Sequence, residues 1–175
     1  MTTDSSLAAL ATLCLFWMTK NQEQHLVYLG LGSNVGNRQQ YIQRAVTLIS
    51  ERIGTILRQS SLIETEPWGF QSQTRFLNGV ILCSTTLTPR QVLRITQQIE
   101  RLLGRTVKSR GKGDYHDRTI DIDILTYDDI TVDEPDLKIP HPLMHERDFV
   151  MKPLNEVKGA LELRSLATEG TQEEL

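Results

Sequence analysis

Apolar positions along the chain change period several times, and each change marks an element. "HLVYLGLGSN" (25–34) is rich in aliphatic and aromatic residues and predicts a buried strand ended by Gly32, Ser33 and Asn34. Ile42, Ala45, Val46, Ile49 and Ile53 then recur at helical spacing, with Asn37 as N-cap and Gly54 as the stop. Two strands follow at about 55–64 and 75–86, joined by the loop "TEPWGFQSQT". "TPRQ" (88–91) is a capping box with Thr88 as N-cap, Pro89 at the first helical position and Gln91 at the third. Val92, Ile95, Ile99, Leu102 and Leu103 form the apolar stripe of that helix, which Gly104 closes.

After the basic loop "RTVKSRGKGDYHDR" comes the strand "RTIDIDIL" (118–125), then a turn at Asp128 and Asp129 into a short partner strand near 130–133. The order β-α-β-β-α-β plus a hairpin is that of an α+β, ferredoxin-like sandwich: a largely antiparallel sheet with its helices on one face. "KIPHPLMHERDFVMKPLNEV" predicts a loop leading to a short last helix, and "ATEGTQEEL" a disordered tail. Residues 1–24 are expected to be an extension, 25–160 the functional domain and 161–175 a tail.

Composition changes this picture little. A chain of 175 residues with 39% apolar side chains suffices for one domain with a core. A net charge of −3 disfavours nonspecific polyanion binding, so no nucleic-acid partner is expected. Cys14 and Cys83 make neither a disulfide framework nor a zinc motif, and are read as reduced thiols. The most apolar run, "LAALATLCLFWM" (7–18), is too short to span a bilayer. Asp4 stands where a signal peptide would be basic, and no small-residue cleavage site follows. The run is read as dispensable for folding, with Met18 as the functional start; a docked helix and a weak membrane tether are the alternatives. The expectation is a cytoplasmic monomer acting on small molecules.

The chemistry concentrates in "RTIDIDIL". Alternation puts Asp121 and Asp123 on one face of the strand and Ile120, Ile122 and Ile124 on the other. The two aspartate Cα atoms then lie about 6.5–7 Å apart, a costly arrangement without a cation. Arg105, Lys108, Arg110, Lys112 and Arg118 crowd the segment just upstream. A basic, glycine-bearing loop beside paired hard oxygen ligands suits Mg²⁺ and a polyphosphate. Trp68, Phe70 and Phe76 supply flat apolar surface and Asn78 an amide, a combination suited to a planar heterocycle, although single phenylalanines here are equally well explained as core. "GLGSNVG" (30–36) has Val35 where a dinucleotide fingerprint needs glycine, and no Walker A motif exists. His141 and His145 are four apart, but Pro142 opposes the helix a zinc pair would need, leaving a loop anchor or a phosphate contact.

Taken in order, "YLGLGSNVG", "ETEPWG", "RFLNGV", "TQQIERLLGR", "DRTIDIDIL", "IPHPLMHER" and "FVMKPL" resemble the 6-hydroxymethyl-7,8-dihydropterin pyrophosphokinase family over about residues 26–157. The resemblance implies transfer of the β,γ-pyrophosphoryl group of ATP to the pterin hydroxymethyl in folate biosynthesis, with release of AMP. By the same resemblance Asp121 and Asp123 hold two Mg²⁺ ions, and Arg118 and Arg105 join them as catalytic residues. Gln97, Glu100, Lys108, Ile124, Lys138, His141 and Arg147 fall with those arginines at the ATP positions. Thr65, Pro67, Trp68, Phe76, Asn78 and Phe149 fall at the pterin positions, and Tyr115 replaces a loop tryptophan that closes over substrate. The chain departs from the pattern in having His116 and Asp117 before Arg118, where the family usually has a small residue and a proline, and Pro142 where an aromatic often follows the histidine. A palm-like nucleotidyltransferase and a ligand-sensing module are the rival readings. The pterin-sized aromatic loop and the lack of a third acidic strand motif oppose the former.

Overall fold

The strand predicted at 25–34 runs from His25 to Ser33 (β1), and its alternating residues go to two different cores. The computed structural model describes residues 23–105 and 116–169, with side chains as far as 159. The apolar run 7–18, the basic-loop residues Lys108, Arg110, Lys112 and Tyr115, and the tail from 170 lie outside the described residues.

Helix α1 (Arg38–Arg52) starts at Asn37, whose side chain accepts from the Gln40 amide at 3.1 Å. It leads to β2 (Thr55–Gln59), β3 (Ile63–Thr65) and β4 (Phe76–Thr85). The single strand expected over 55–64 is thus broken at Ser60–Leu62. Helix α2 (Pro89–Leu102) has both halves of its capping box: Thr88 Oγ1 accepts from the Gln91 amide at 3.4 Å, and Gln91 Oε1 from the Thr88 amide at 2.8 Å. Strand β5 (Asp121–Tyr127) completes an antiparallel sheet of order β2-β4-β1-β5, with β3 continuing along β4. This is the ferredoxin-like order expected.

The expected hairpin partner of β5 is a correction. Residues Val132–Glu134 (β6) pair instead with Leu137–Ile139 (β7), in a separate two-stranded sheet. The turn after β5 folds back onto β1: Asp128, at φ 42°, accepts the Leu26 amide and the His25 imidazole, each at 2.7 Å. With its turn carboxylate engaged there, the chain leaves the sheet rather than doubling back along it.

The helices do not share one face. Helices α1 and α2 cover one side through Ile42, Ala45, Ile49, Val92 and Ile99, packed on Val27, Leu29, Leu31, Ile122 and Ile124. After a 3-10 turn at Met144–Glu146, the last helix α3 (Asp148–Glu169) lies on the opposite side, burying Val150, Leu154 and Val157 against Val80, Leu82 and Leu125. It is longer than expected, and residues 161–169 of the expected tail are helical. A bulge divides β5: Leu29 pairs with Ile124 and Tyr28 with Thr126, leaving Leu125 extra. That added residue returns Tyr127 to the α1/α2 side, where its hydroxyl donates to the Leu87 carbonyl at 2.6 Å. Burial pushes the Tyr127 hydroxyl up to about 12. Among the described residues no helix is long and apolar enough to cross a membrane.

The reciprocal cap at Thr88 gives a direct check on this fold. Thr88→Ala is expected to cost about 1 kcal/mol, lowering the thermal midpoint by about 2–4 °C in a calorimetric scan, while Thr88→Ser stays near wild type.

Candidate active site

Because α1 and α2 take the Ile122/Ile124 face of β5, Asp121 and Asp123 emerge on the α3 side. There they line a pocket with Gly30 and Gly32 of β1, Phe76, Asn78 and Val80 of β4, Thr65, Trp68 and Phe70, and Arg118, His141, Arg147, Phe149 and Val150. The glycines are its floor. A Cβ at Gly32 would stand 2.9 Å from Asn78 Oδ1, and one at Gly30 3.3 Å from Leu125. Two glycines at a period of two in a strand are therefore a signal for a cleft, one distinct from a dinucleotide fingerprint.

At one end of the pocket the chemistry is ionic. Arg105, only 7% exposed, bridges Glu100 at 2.5 Å and Asp121, while Arg118 Nε approaches the other oxygen of Asp121 at 3.2 Å. Burial opposes the Arg105 charge, but Asp121 and Glu100 overcome it and hold its pKa above the ordinary arginine value. Glu100 Oε1 also accepts the Ile122 amide at 2.9 Å, locking α2 to β5. Among the described residues Arg105 and Arg118 thus approach Asp121, with Asp123 beside it on the same strand face. The oxygens of the two aspartates are hard donors, which fit a divalent cation completed by water and phosphate oxygens.

At the other end the pocket is aromatic. Phe70 stands edge-on to Phe76 with centroids 6.1 Å apart, and the Arg118 guanidinium lies 5.2 Å over Phe76. Arg147 lies 4.5 Å over Trp68 and 5.7 Å from the Phe149 centroid. Asn78 donates to Thr65 Oγ1 at 2.8 Å, which turns its amide along the pocket wall and leaves the carbonyl side over Gly32. Such cation–π contacts tie the two ends together.

One residue that sequence reasoning missed staples three loops. Asn34, 1% exposed, accepts the Arg118 amide at 2.8 Å, and its own amide donates to the Arg118 carbonyl at 3.1 Å. Its Nδ2 donates to Asp117 at 2.6 Å and Thr74 at 3.0 Å. The turn after β1, the aromatic loop and the approach to β5 are thus one hydrogen-bonded unit. Asp117, a departure from the family pattern, is a member of it.

Several expected site residues do not line this pocket. Ile124 points into the α1/α2 core, and Glu100 is a buried strut. Gln97 lies half-buried on α2, Pro67 flanks Trp68 without joining the lining, and Lys138 pairs with Asp133 in the β6–β7 hairpin. Arg105 lines a second recess with Val35, Gly104, His116, Asp117, Arg118 and Thr119, so Arg118 borders both. Lys108 and Tyr115 lie outside the described residues. Among the described residues no cluster of three or more metal-ligating side chains forms, and the two histidines of "HPLMH" are not on one helix face: His141 precedes the 3-10 turn and its amide bonds the Leu125 carbonyl at 2.8 Å.

Residues 28–159 match the family model described as 7,8-dihydro-6-hydroxymethylpterin-pyrophosphokinase. A 2-amino-4-hydroxy-6-hydroxymethyldihydropteridine pyrophosphokinase of Porphyromonas gingivalis is 50% identical over 133 residues, covering 75% of this chain and 90% of that protein. The protein of the same name from Bacillus subtilis is 39% identical over 150 residues, covering 85% and 87%. Among solved structures, wild-type Plasmodium falciparum HPPK-DHPS with STZ-DHP superimposes with a TM-score of 0.62 over 78% of this chain. This chain spans only 40% of that longer one, and at 16% identity the likeness is one of fold. A family match over most of the chain and two relatives aligned across nearly their full lengths have one meaning: the chain belongs to the 7,8-dihydro-6-hydroxymethylpterin-pyrophosphokinase family.

Proposed function

We propose that the protein transfers the pyrophosphoryl group of ATP to the hydroxymethyl of 6-hydroxymethyl-7,8-dihydropterin, forming the pterin diphosphate and AMP in folate biosynthesis. The names of its pyrophosphokinase relatives support the reaction, as does that of the folic acid synthesis protein of Pneumocystis carinii, 41% identical over 139 residues. The observation that carries the reading is the two-ended pocket, aromatic around Phe76 and Phe149 and ionic around Asp121, Asp123 and Arg118. In this reading residues 25–160 are the catalytic unit and act as a monomer.

The pterin ring takes the aromatic end, with Asn78 and Thr65 reading its polar edge and Trp68 covering it. Its hydroxymethyl then points toward the aspartates. ATP occupies the ionic end and runs across Arg118 into the second recess, where Arg105 lies, with His141 and Arg147 on the opposite wall. The hydroxyl oxygen attacks the β-phosphorus, the bond from that phosphorus to the α,β-bridging oxygen breaks, and AMP leaves; Asp123 takes the hydroxyl proton. Arg118 and Arg147 neutralise charge on the phosphates, and Arg105 holds Asp121 in its rotamer. Asp121 and Asp123 would hold Mg²⁺, which supplies charge neutralisation along the phosphate chain. Positioning and fixed charge account for the rate, as in other phosphoryl transfers.

Asp121→Asn and Asp123→Asn are each expected to lower kcat about a thousandfold, and chelation of divalent ions to stop wild-type turnover, in an assay of AMP release. Near-normal turnover in both variants, or in excess EDTA, would defeat the assignment. Asn34→Ala frees Arg118 from its loop anchor; its kcat is expected to fall about tenfold or more with a midpoint loss of only a few degrees. A pure stability loss with intact kcat would remove Asn34 from the catalytic frame.

A further inference from the structure

Away from the pocket, the break between β2 and β3 carries a hydrogen-bonded grip that the reaction as described does not use. Ser60 stays hitched to β4: its amide donates to the Val80 carbonyl and its Oγ accepts the Val80 amide, both at 2.9 Å. Ser61 turns out of the sheet, and Glu156 of α3 takes hold of it. Glu156 Oε1 accepts the Ser61 amide at 2.9 Å and Oε2 accepts the Ser61 hydroxyl at 2.6 Å. Leu62 then presses flat on β4, its Cδ2 only 2.7 Å from where a Cβ on Gly79 would be.

The placement of this grip is what gives it meaning. Glu156 follows Phe149 by seven residues, so the two lie on one side of α3 about 10 Å apart. Ser61 precedes Thr65 by four residues, at most roughly 13 Å of chain. Phe149 and Thr65 both line the pocket, and Glu156 and Ser61 join the same two segments farther along each. Val150, Leu154 and Val157 hold α3 on the sheet by apolar contact, which is non-directional and sets distance better than rotation. The bidentate carboxylate supplies the direction.

We infer that Glu156 is a positioning residue for the ring-binding end of the pocket: its two-point hold on Ser61 fixes the roll of α3, and with it the gap between Phe149 and the Thr65–Asn78 wall. The Asp121–Arg118 end is anchored separately, through Arg105, Glu100 and Asn34, and of the groups assigned to the phosphates α3 carries Arg147 at its start, so the effect falls first on the flat-ring substrate. The inference rests on the reading of that substrate as a pterin. Neither Glu156 nor Ser61 lines the pocket.

The test measures, on the full chain, KM for pterin and for ATP, kcat, thermal midpoint, and the pterin Kd by calorimetry with a non-hydrolysable ATP analogue present. Glu156→Ala is expected to raise the pterin KM and Kd about tenfold while the ATP KM moves less than about twofold. Ser61→Ala should shift them in the same direction by less. Glu156→Gln should restore most of the affinity, because its amide oxygen still accepts the Ser61 N–H and its NH₂ donates to the hydroxyl. Equal losses for both substrates, or a lower midpoint with unchanged pterin affinity, would overturn the inference while leaving the function standing. A wild-type chain that binds no pterin at all would overturn both.

Discussion

The site depends on a charge constraint: two carboxylates of one strand face, only two residues apart, cannot stay ionised in a half-buried pocket without positive charge beside them. Arg105 meets part of that demand from below and Arg118 from the side. Neither arginine is free to wander. Glu100 pins Arg105 while also closing the Ile122 amide, and Asn34 pins the backbone of Arg118. The protein thus fixes a cationic lattice under Asp121 and holds both aspartates on one face, where their hard oxygens suit a substrate-borne divalent cation.

The rest of the architecture serves to put that lattice beside a flat apolar slot. The sheet separates its two faces cleanly. Isoleucines of β5 go to α1 and α2 and aspartates to the α3 side, and a single bulge residue, Leu125, lets the same strand bury Tyr127 correctly at its far end. Glycines 30 and 32 remove the side chains that would otherwise fill the cleft. Arg147, stacked on Trp68 and near Phe149, and Arg118 over Phe76 make the boundary between ionic and aromatic ends a layer of guanidinium on ring. A ligand with a planar head and an anionic partner fits that sequence of surfaces.

Much of this was legible in the chain, for physical reasons that also explain the failures. Period and caps revealed α1, α2 and the sheet order because those features are local: Asn37 and Thr88 bond within their own first turns. The aspartate pair was legible because strand alternation alone decides its face. What eluded sequence reasoning depends on meetings between distant segments. Asn34 reaches Asp117, 83 residues away, and Glu156 reaches Ser61, 95 residues away. The pairing of β6 with β7 turned on Asp128 being captured by β1, and the length of α3 was masked by Pro153, which sits inside the helix without ending it. Motif position places Glu100 and Ile124 with the ligand, and packing buries both side chains.

The central claim, that Asp121 and Asp123 hold divalent ions where a flat ring can reach the phosphates, is tested most directly by anomalous diffraction. Crystals would be grown with Mn²⁺, a non-hydrolysable ATP analogue and hydroxymethyldihydropterin. The account predicts metal peaks about 2.0–2.2 Å from oxygens of both aspartates, with the ring between Phe76 and Phe149. Metal peaks away from the two carboxylates, or a ring bound outside the pocket, would contradict it.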